Sequence, residues 1–300
     1  MAGSGELAAI CTAASWGVAS QINSAVARRT GATSLALLRL PYMAVLCGIL
    51  CLIFNAEAAV SLKAALLLSL SGFLGLAMGD VLLYRSILII GPTMGILMLS
   101  LSSSLTAVIG WLFLGEALPL QAVFGICLTL AGVTVVVLEH SESILMPGQA
   151  VPQGRQLALG VGLAGAAACG LAVAYVAQRM AMQTGVQPLW AGFIRIAGGG
   201  GALWAIGIVT GWSGAAVRTF AAQPTARWML LVSCSAGSLG VWGASYALAH
   251  APAGVAATLI GLQPIVVACI GAAWYRRKLS SRVVCGSLVA FTGTALVCLR

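Results

Sequence analysis

The chain has 300 residues, of which 61% are apolar and 7% charged, with a formal net charge of +9 and a mean hydropathy of +1.06. Soluble globular chains run at roughly 45–50% apolar and about 25% charged, so this composition excludes a water-soluble domain and demands a bilayer as solvent. The 15 basic residues are scattered, only Arg28–Arg29 and Arg276–Arg277–Lys278 being adjacent, which excludes the continuous basic face of a nucleic-acid binder.

Residues 1–6 lack a basic n-region, so the first apolar run reads as a mature span rather than a cleaved signal. A spanning helix needs ~20 apolar residues. Interruptions by charge, proline and turn clusters then predict ten helices, over 7–27, 35–54, 64–84, 93–113, 120–138, 157–177, 189–210, 228–248, 254–275 and 283–299. The longest polar stretch, 139–156, holds Pro147, Gly148 and Pro152. It divides the chain into a first five-helix repeat (1–139), a linker (140–156) and a second five-helix repeat (157–300). Runs this long do not match the ~10-residue alternating strands of a β-barrel. The expected fold is an all-α, multi-pass integral membrane protein in a plasma (bacterial inner) membrane. The nine cysteines all fall in apolar runs without a CxxC, and read as small packing residues.

The two halves repeat each other. Leu38-Arg39-Leu40 is echoed by Ile194-Arg195-Ile196, Tyr84 by Tyr246, Gly91-Pro92 by Pro252-Ala253-Gly254, and Gly125-x6-Gly132 by Gly286-x6-Gly293, at an offset of 156 to 162. An odd number of spans per repeat turns the second copy over in the membrane. Inverted repeats of this kind are a recurring plan of secondary transporters, with the substrate site at their interface.

In Trp16-Gly17, Arg39, Gly79-Asp80-x3-Tyr84, Gly110-Trp111-Leu112-Phe113-Leu114-Gly115-Glu116 and the following Gly125 and Gly132, the chain resembles the EamA-like branch of the drug/metabolite transporter superfamily. The resemblance covers nearly the whole chain and implies two five-helix repeats and export of amino acids, other metabolites or drugs. Where the second half would often repeat Leu-Gly-Glu, this chain has Tyr275-Arg276-Arg277-Lys278. Any role of that glutamate falls to Glu116 alone.

Charge inside hydrocarbon costs about 2.5–3.5 kcal/mol per residue on insertion scales, which singles out a few positions. Asp80 is the only acid well inside a span, with Tyr84 one turn further on the same face. It is either a proton carrier or amine contact, or a structural partner of Arg39, Arg85 or Arg195. Arg39 and Arg195, at matched places, either grip a substrate carboxylate or phosphate or cap neighbouring helix ends. Polar stripes (Gly17, Ser20, Gln21 and Ser24; Thr93, Ser100, Ser103 and Ser104; Ser235, Ser238, Trp242 and Ser245), with Gln178 and Gln263, either line a shared cavity or pack helices. Trp16, Tyr84, Tyr175, Trp242 and Tyr246 would wall such a cavity. Pro264 is expected to break the ninth span at mid-depth, whereas its counterpart in the fourth is Ser102, so a proline-driven kink is not expected there. The glycines, among them Gly72, Gly75, Gly79 and Gly198 to Gly201, suit close, sliding helix contacts.

Enzymatic readings lack their residues. His140 and His250 fall at span ends, no Walker A sequence is present, and one intramembrane aspartate cannot make a protease dyad. No cofactor or metal is expected. The expected partners are a small-molecule substrate and lipid, as a monomer or homodimer. The alternative is a channel or facilitator for small polar solutes, and a lipid-acting membrane enzyme is a third reading. Loops after odd-numbered spans hold Arg28, Arg29, Arg85, Arg155, Arg218, Arg227, Arg276, Arg277, Lys278 and Arg282, against Lys63, Arg179 and Arg300 on the other side. That asymmetry places both termini outside the cytoplasm, while the resemblance implies both inside.

Overall fold

A computed structural model describes residues 4–54, 60–114, 118–138, 145, 148–250, 259–276 and 280–298. Among them there is no strand; the chain is helical. In order come α1 (Ser4–Thr30), α2 (Ala32–Ile53), α3 (Leu62–Gly72), a π-helical segment (Phe73–Met78), α4 (Gly79–Ile90), α5 (Pro92–Leu99), α6 (Leu101–Leu114), α7 (Leu120–Val137), α8 (Gly154–Met182), α9 (Pro188–Val209), α10 (Trp212–Ala221), α11 (Pro224–His250), α12 (Gln263–Tyr275) and α13 (Ser281–Cys298).

Among the described residues seven stretches are long and apolar enough to cross a membrane: Ala32–Ile53, Leu62–Ile90, Pro92–Leu112, Leu120–Val137, Gly154–Met182, Pro188–Val209 and Ser281–Cys298. α1 and α11 have the length but carry more polar residues, because they face each other inside the bundle. Thr12, Ser20, Gln21, Asn23 and Ser24 of α1 and Ser233 and Ser238 of α11 are all buried. Polar residues shielded from lipid in this way do not have to be apolar for the helix to sit in a membrane.

Several boundaries differ from those read off the sequence. The third stretch runs on past Arg85 to Ile90, because Arg85 is exposed at its end and donates to Thr33 Oγ1 at 3.3 Å instead of stopping the helix. It ends at Gly91, whose φ of 83° turns the chain sharply before Pro92 opens α5. The fourth stretch is broken at Ser100 without a proline. There Ser100 Oγ donates to the Leu97 carbonyl at 2.6 Å and supplies a local alternative to the helical ladder. In the second half, Gly261 and Leu262 form a turn and Pro264 lies in the first turn of α12. Residues 251–258, which include the start of the expected ninth span at 254, lie outside the described residues, as do Glu116 and His140. The sequence reading did not anticipate α10. This short helix buries Ala216 and Phe220 and packs on α2, α9 and α11.

Packing joins the halves at every level. α1 lies along α11, and α3 and α4 lie along α8; α2 pairs with α9 and α7 with α13; α12 packs on α1 as α5 and α6 pack on α8. Exchanging the first half for the second maps each of these contacts onto another. The α7–α13 seam shows how close the approach is. A Cβ placed on Gly125 would stand 2.7 Å from the Gly293 carbonyl oxygen, and one on Gly132 would run into the Ala290 backbone. Only glycine permits backbones to meet there. The linker also belongs to the packed body. Leu145 is buried against Ile90, Met94 and Leu97, and Gln149 Nε2 donates to the Leu88 carbonyl at 2.9 Å near the end of α4.

Candidate functional site

The first polar centre is built around Arg39, the eighth residue of α2. It forms a salt bridge with Asp80, which the π-helical segment delivers in the first turn of α4. Asp80 is only 8% exposed. The guanidinium carbon lies 6.0 Å from the centre of the Tyr84 ring, one turn beyond Asp80. Asn23 Nδ2 of α1 donates to Tyr84 Oη at 2.9 Å, and Ser233 Oγ of α11 donates to Asn23 Oδ1. Cys234, also on α11, places its thiol 3.7 Å from the Arg39 carbonyl oxygen. Four helices from both halves therefore meet on one buried ion pair. Of the three arginines within reach by sequence, Asp80 takes Arg39; Arg85 is exposed and Arg195 is held elsewhere. Asn23 and Ser233 were not singled out by sequence, although an asparagine inside an apolar run was the available signal.

The second centre surrounds Arg195, the eighth residue of α9. Its Nη1 donates to Gln178 Oε1 of α8 at 2.5 Å, and its guanidinium carbon lies 6.0 Å from the centre of the Tyr175 ring, one turn before Gln178. Gly75 of the π-helical segment borders it, and at Gly72 the α3 backbone meets the Arg195 backbone. Both arginines thus have a tyrosine face beside them, but from different spans: Tyr84 is the repeat mate of Tyr246, not of Tyr175. The repeat holds in the fold and lapses in the chemistry.

The remaining candidates are distributed along α1, α11 and the broken spans. Trp16 Nε1 donates to the Gly237 carbonyl at 3.2 Å and Ser15 Oγ to that of Ala236 at 3.0 Å, fastening α1 to α11. Ser71 Oγ to Ala174 O at 2.6 Å and Ser86 Oγ to Gly160 O at 2.7 Å fasten α3 and α4 to α8 in the same manner. Gln21 Nε2 donates to the Val267 carbonyl at 2.8 Å, and Gln263 Nε2 to Ser20 Oγ at 3.2 Å, which ties α1 to the start of α12 beside its break. Gly17 presses on Val266. The α1 stripe is therefore a packing face that also holds a broken helix. Ser103 is half-buried just past the break at Ser100, and Ser104 is buried with its hydroxyl unbonded. Trp242 stacks on Phe54 at 5.7 Å and lies 6.2 Å from Tyr246. On α11, Ser238 is buried and Ser235 is exposed; the Ser245 side chain lies outside the described residues.

In chemical terms the arrangement offers two largely buried cationic centres, one neutralised by an acid and one for which the described residues supply none, in a body whose helices are broken at Ser100 and at Gly261–Leu262. Interrupted backbone at depth occurs where protein or a polar cavity can satisfy its freed groups.

The model of the EamA-like transporter family matches the chain twice, over residues 3–138 and 158–299. No curated protein matches it. Seventeen solved chains match its fold. One of them, titled only "Crystal structure of protein", has a TM-score of 0.64 at 15% identity and covers 98% of this chain and 96% of its own.

Proposed function

The chain belongs to the EamA-like transporter family, and on that premise we propose that it is a secondary transporter of ten crossings in two inverted repeats, working by alternating access between them. Its substrates are amino acids or related small metabolites, its direction is export, and its place is the plasma membrane. The observation that carries this reading is the cross-half interlocking of α1 with α11 and of α3 and α4 with α8, beside spans interrupted at Ser100 and at Gly261–Leu262. Such seams join the two halves through side-chain-to-carbonyl bonds that can be exchanged, and interrupted helices are where transporters of this plan place binding groups. Asp80 and Arg39 act as a latch across four helices. Opening it frees a carboxylate that can take up a proton during the cycle.

Proteoliposomes loaded with unlabelled amino acids and challenged with the radiolabelled forms, with and without a pH gradient, test the proposal. Saturable counterflow is expected, and a dependence on the pH gradient that D80N removes. Flux that rises linearly with concentration and shows no counterflow would instead establish a channel.

A further inference from the structure

The two span arginines sit at matched places in the repeats and differ in what neutralises them. Arg39 has Asp80. The register that superposes Tyr84 on Tyr246 puts Trp242 where Asp80 stands in the first half, and Trp242 is engaged with Phe54 and Tyr246. Among the described residues no carboxylate pairs with Arg195. Among the described residues its one side-chain hydrogen-bond partner is the neutral Gln178, through Nη1, and its Nε, like that of Arg39, is buried without a hydrogen bond. Nε and Nη2 share one edge of the planar guanidinium, the edge that can receive a carboxylate through two parallel N–H···O bonds. Beside that edge the chain has Gly75, where a Cβ would stand 3.6 Å from Nη2 and 2.8 Å from the Ala174 Cβ, so a side chain there would press on α8 next to the guanidinium. A guanidinium keeps its charge under all ordinary conditions, and a buried charge without a counter-charge is strongly unfavourable. Nothing among the described residues neutralises this centre, so a visiting anion would complete it.

We propose that Arg195, oriented by Gln178 and Tyr175, is the seat for the carboxylate of the transported molecule, so that the substrates are small monocarboxylates or zwitterionic amino acids. Arg39, already neutralised, holds helices instead. The assignment rests on the transporter reading for the route by which the ligand arrives.

The test measures thermal unfolding of the purified full-length protein with common amino acids and short monocarboxylates, each beside its own carboxamide, and with inorganic phosphate. At least one carboxylate should raise Tm while its amide does not. R195Q should weaken that carboxylate's apparent affinity about tenfold or more, as expected for loss of charge-assisted bonds. Without ligand, R195Q should unfold no lower than wild type, because the uncompensated charge is gone, whereas R39Q should unfold lower. R195K keeps the charge and loses the fork; it should weaken the carboxylate's effect with Tm preserved, and it carries the test if R195Q does not fold. The proposal is overturned if R195Q and R195K respond to the carboxylate as wild type does, if amides stabilise as well as their acids, if phosphate alone stabilises, or if no carboxylate does. Carboxylate binding without counterflow would sink the transporter reading and leave the seat. Counterflow of neutral or cationic solutes that ignores R195Q would sink the seat and leave the transporter.

Discussion

At the scale of single residues, the Arg39–Asp80 pair sets the energetics. Two charges buried in apolar surroundings gain little over a hydrophobic pair, but removing one strands the other at a cost of about 3–5 kcal/mol. D80N and R39Q should each lower the unfolding temperature, and the double variant D80N/R39Q should be less destabilised than the sum of the two. A thermal-shift double-mutant cycle reads this directly, and additive losses would mean that the pair does not form. Tyr84 and Asn23 extend the pair across the halves. Y84F removes the acceptor for Asn23 Nδ2, leaves a buried donor unmet and should cost about 1–3 kcal/mol, seen as a lower Tm. An unchanged Tm would place Asn23 elsewhere. Asp80 was legible in the sequence as the one acid deep in a span. Its partner was not, because Arg39, Arg85 and Arg195 are equivalent in composition; exposure sets Arg85 apart, and only the fold brings Asp80 to Arg39 and Gln178 to Arg195.

At the scale of elements, glycine seams and interrupted helices decide the packing. Gly125 and Gly132 of α7 face Gly286 and Gly293 of α13 so closely that carbonyl oxygens occupy the space of a missing Cβ. G132V should therefore force the two helices apart and lower stability by at least the ~1–3 kcal/mol typical of overpacking, measured as loss of the folded, monodisperse protein on heating. A variant as stable as wild type would refute the seam. The repeat of glycine spacing was visible in sequence, but that the two matched runs meet each other was not. The break at Ser100 was not foreseen, since no proline is present and the hydroxyl-to-carbonyl bond that accompanies it looks the same in sequence as any helical serine. α10 was missed because its ten residues carry only one charge and read as a connection between spans.

At the scale of the whole molecule, the halves are mutually dependent. α1 finds its main partner in α11, α8 in α3 and α4, and α7 in α13, so each half alone would expose its polar seams. Residues 1–139 and 157–300 expressed as separate chains should yield stable protein together and not singly, measured by co-purification after solubilisation. Stable, monodisperse half-chains would show that the cross-half seams are dispensable. With the ten crossings proposed, both termini lie on one side, and we propose from the excess of arginine in loops after odd-numbered spans that this side is outside the cytoplasm, against the cytoplasmic ends that the family resemblance implies. A phosphatase fused after Arg300 should accordingly be active, and a cytoplasmic signal would reverse the orientation.

Taken by itself, the sequence determined the solvent, the helical class and the repeat. Apolar content, run length and spacing are local or periodic properties that survive without knowledge of contacts, and the family-wide match over both halves agrees with them. Only the tertiary structure decided which arginine is neutralised, which polar stripe packs and that the fourth span is interrupted without a proline. Those outcomes depend on residues tens or hundreds of positions apart, as when Ser233 of α11 completes the bond network of Asn23 on α1. In a bilayer backbone polar groups must be satisfied within the protein and buried side-chain polar groups gain from partners there, and one chain read in order does not say where such a partner will be brought.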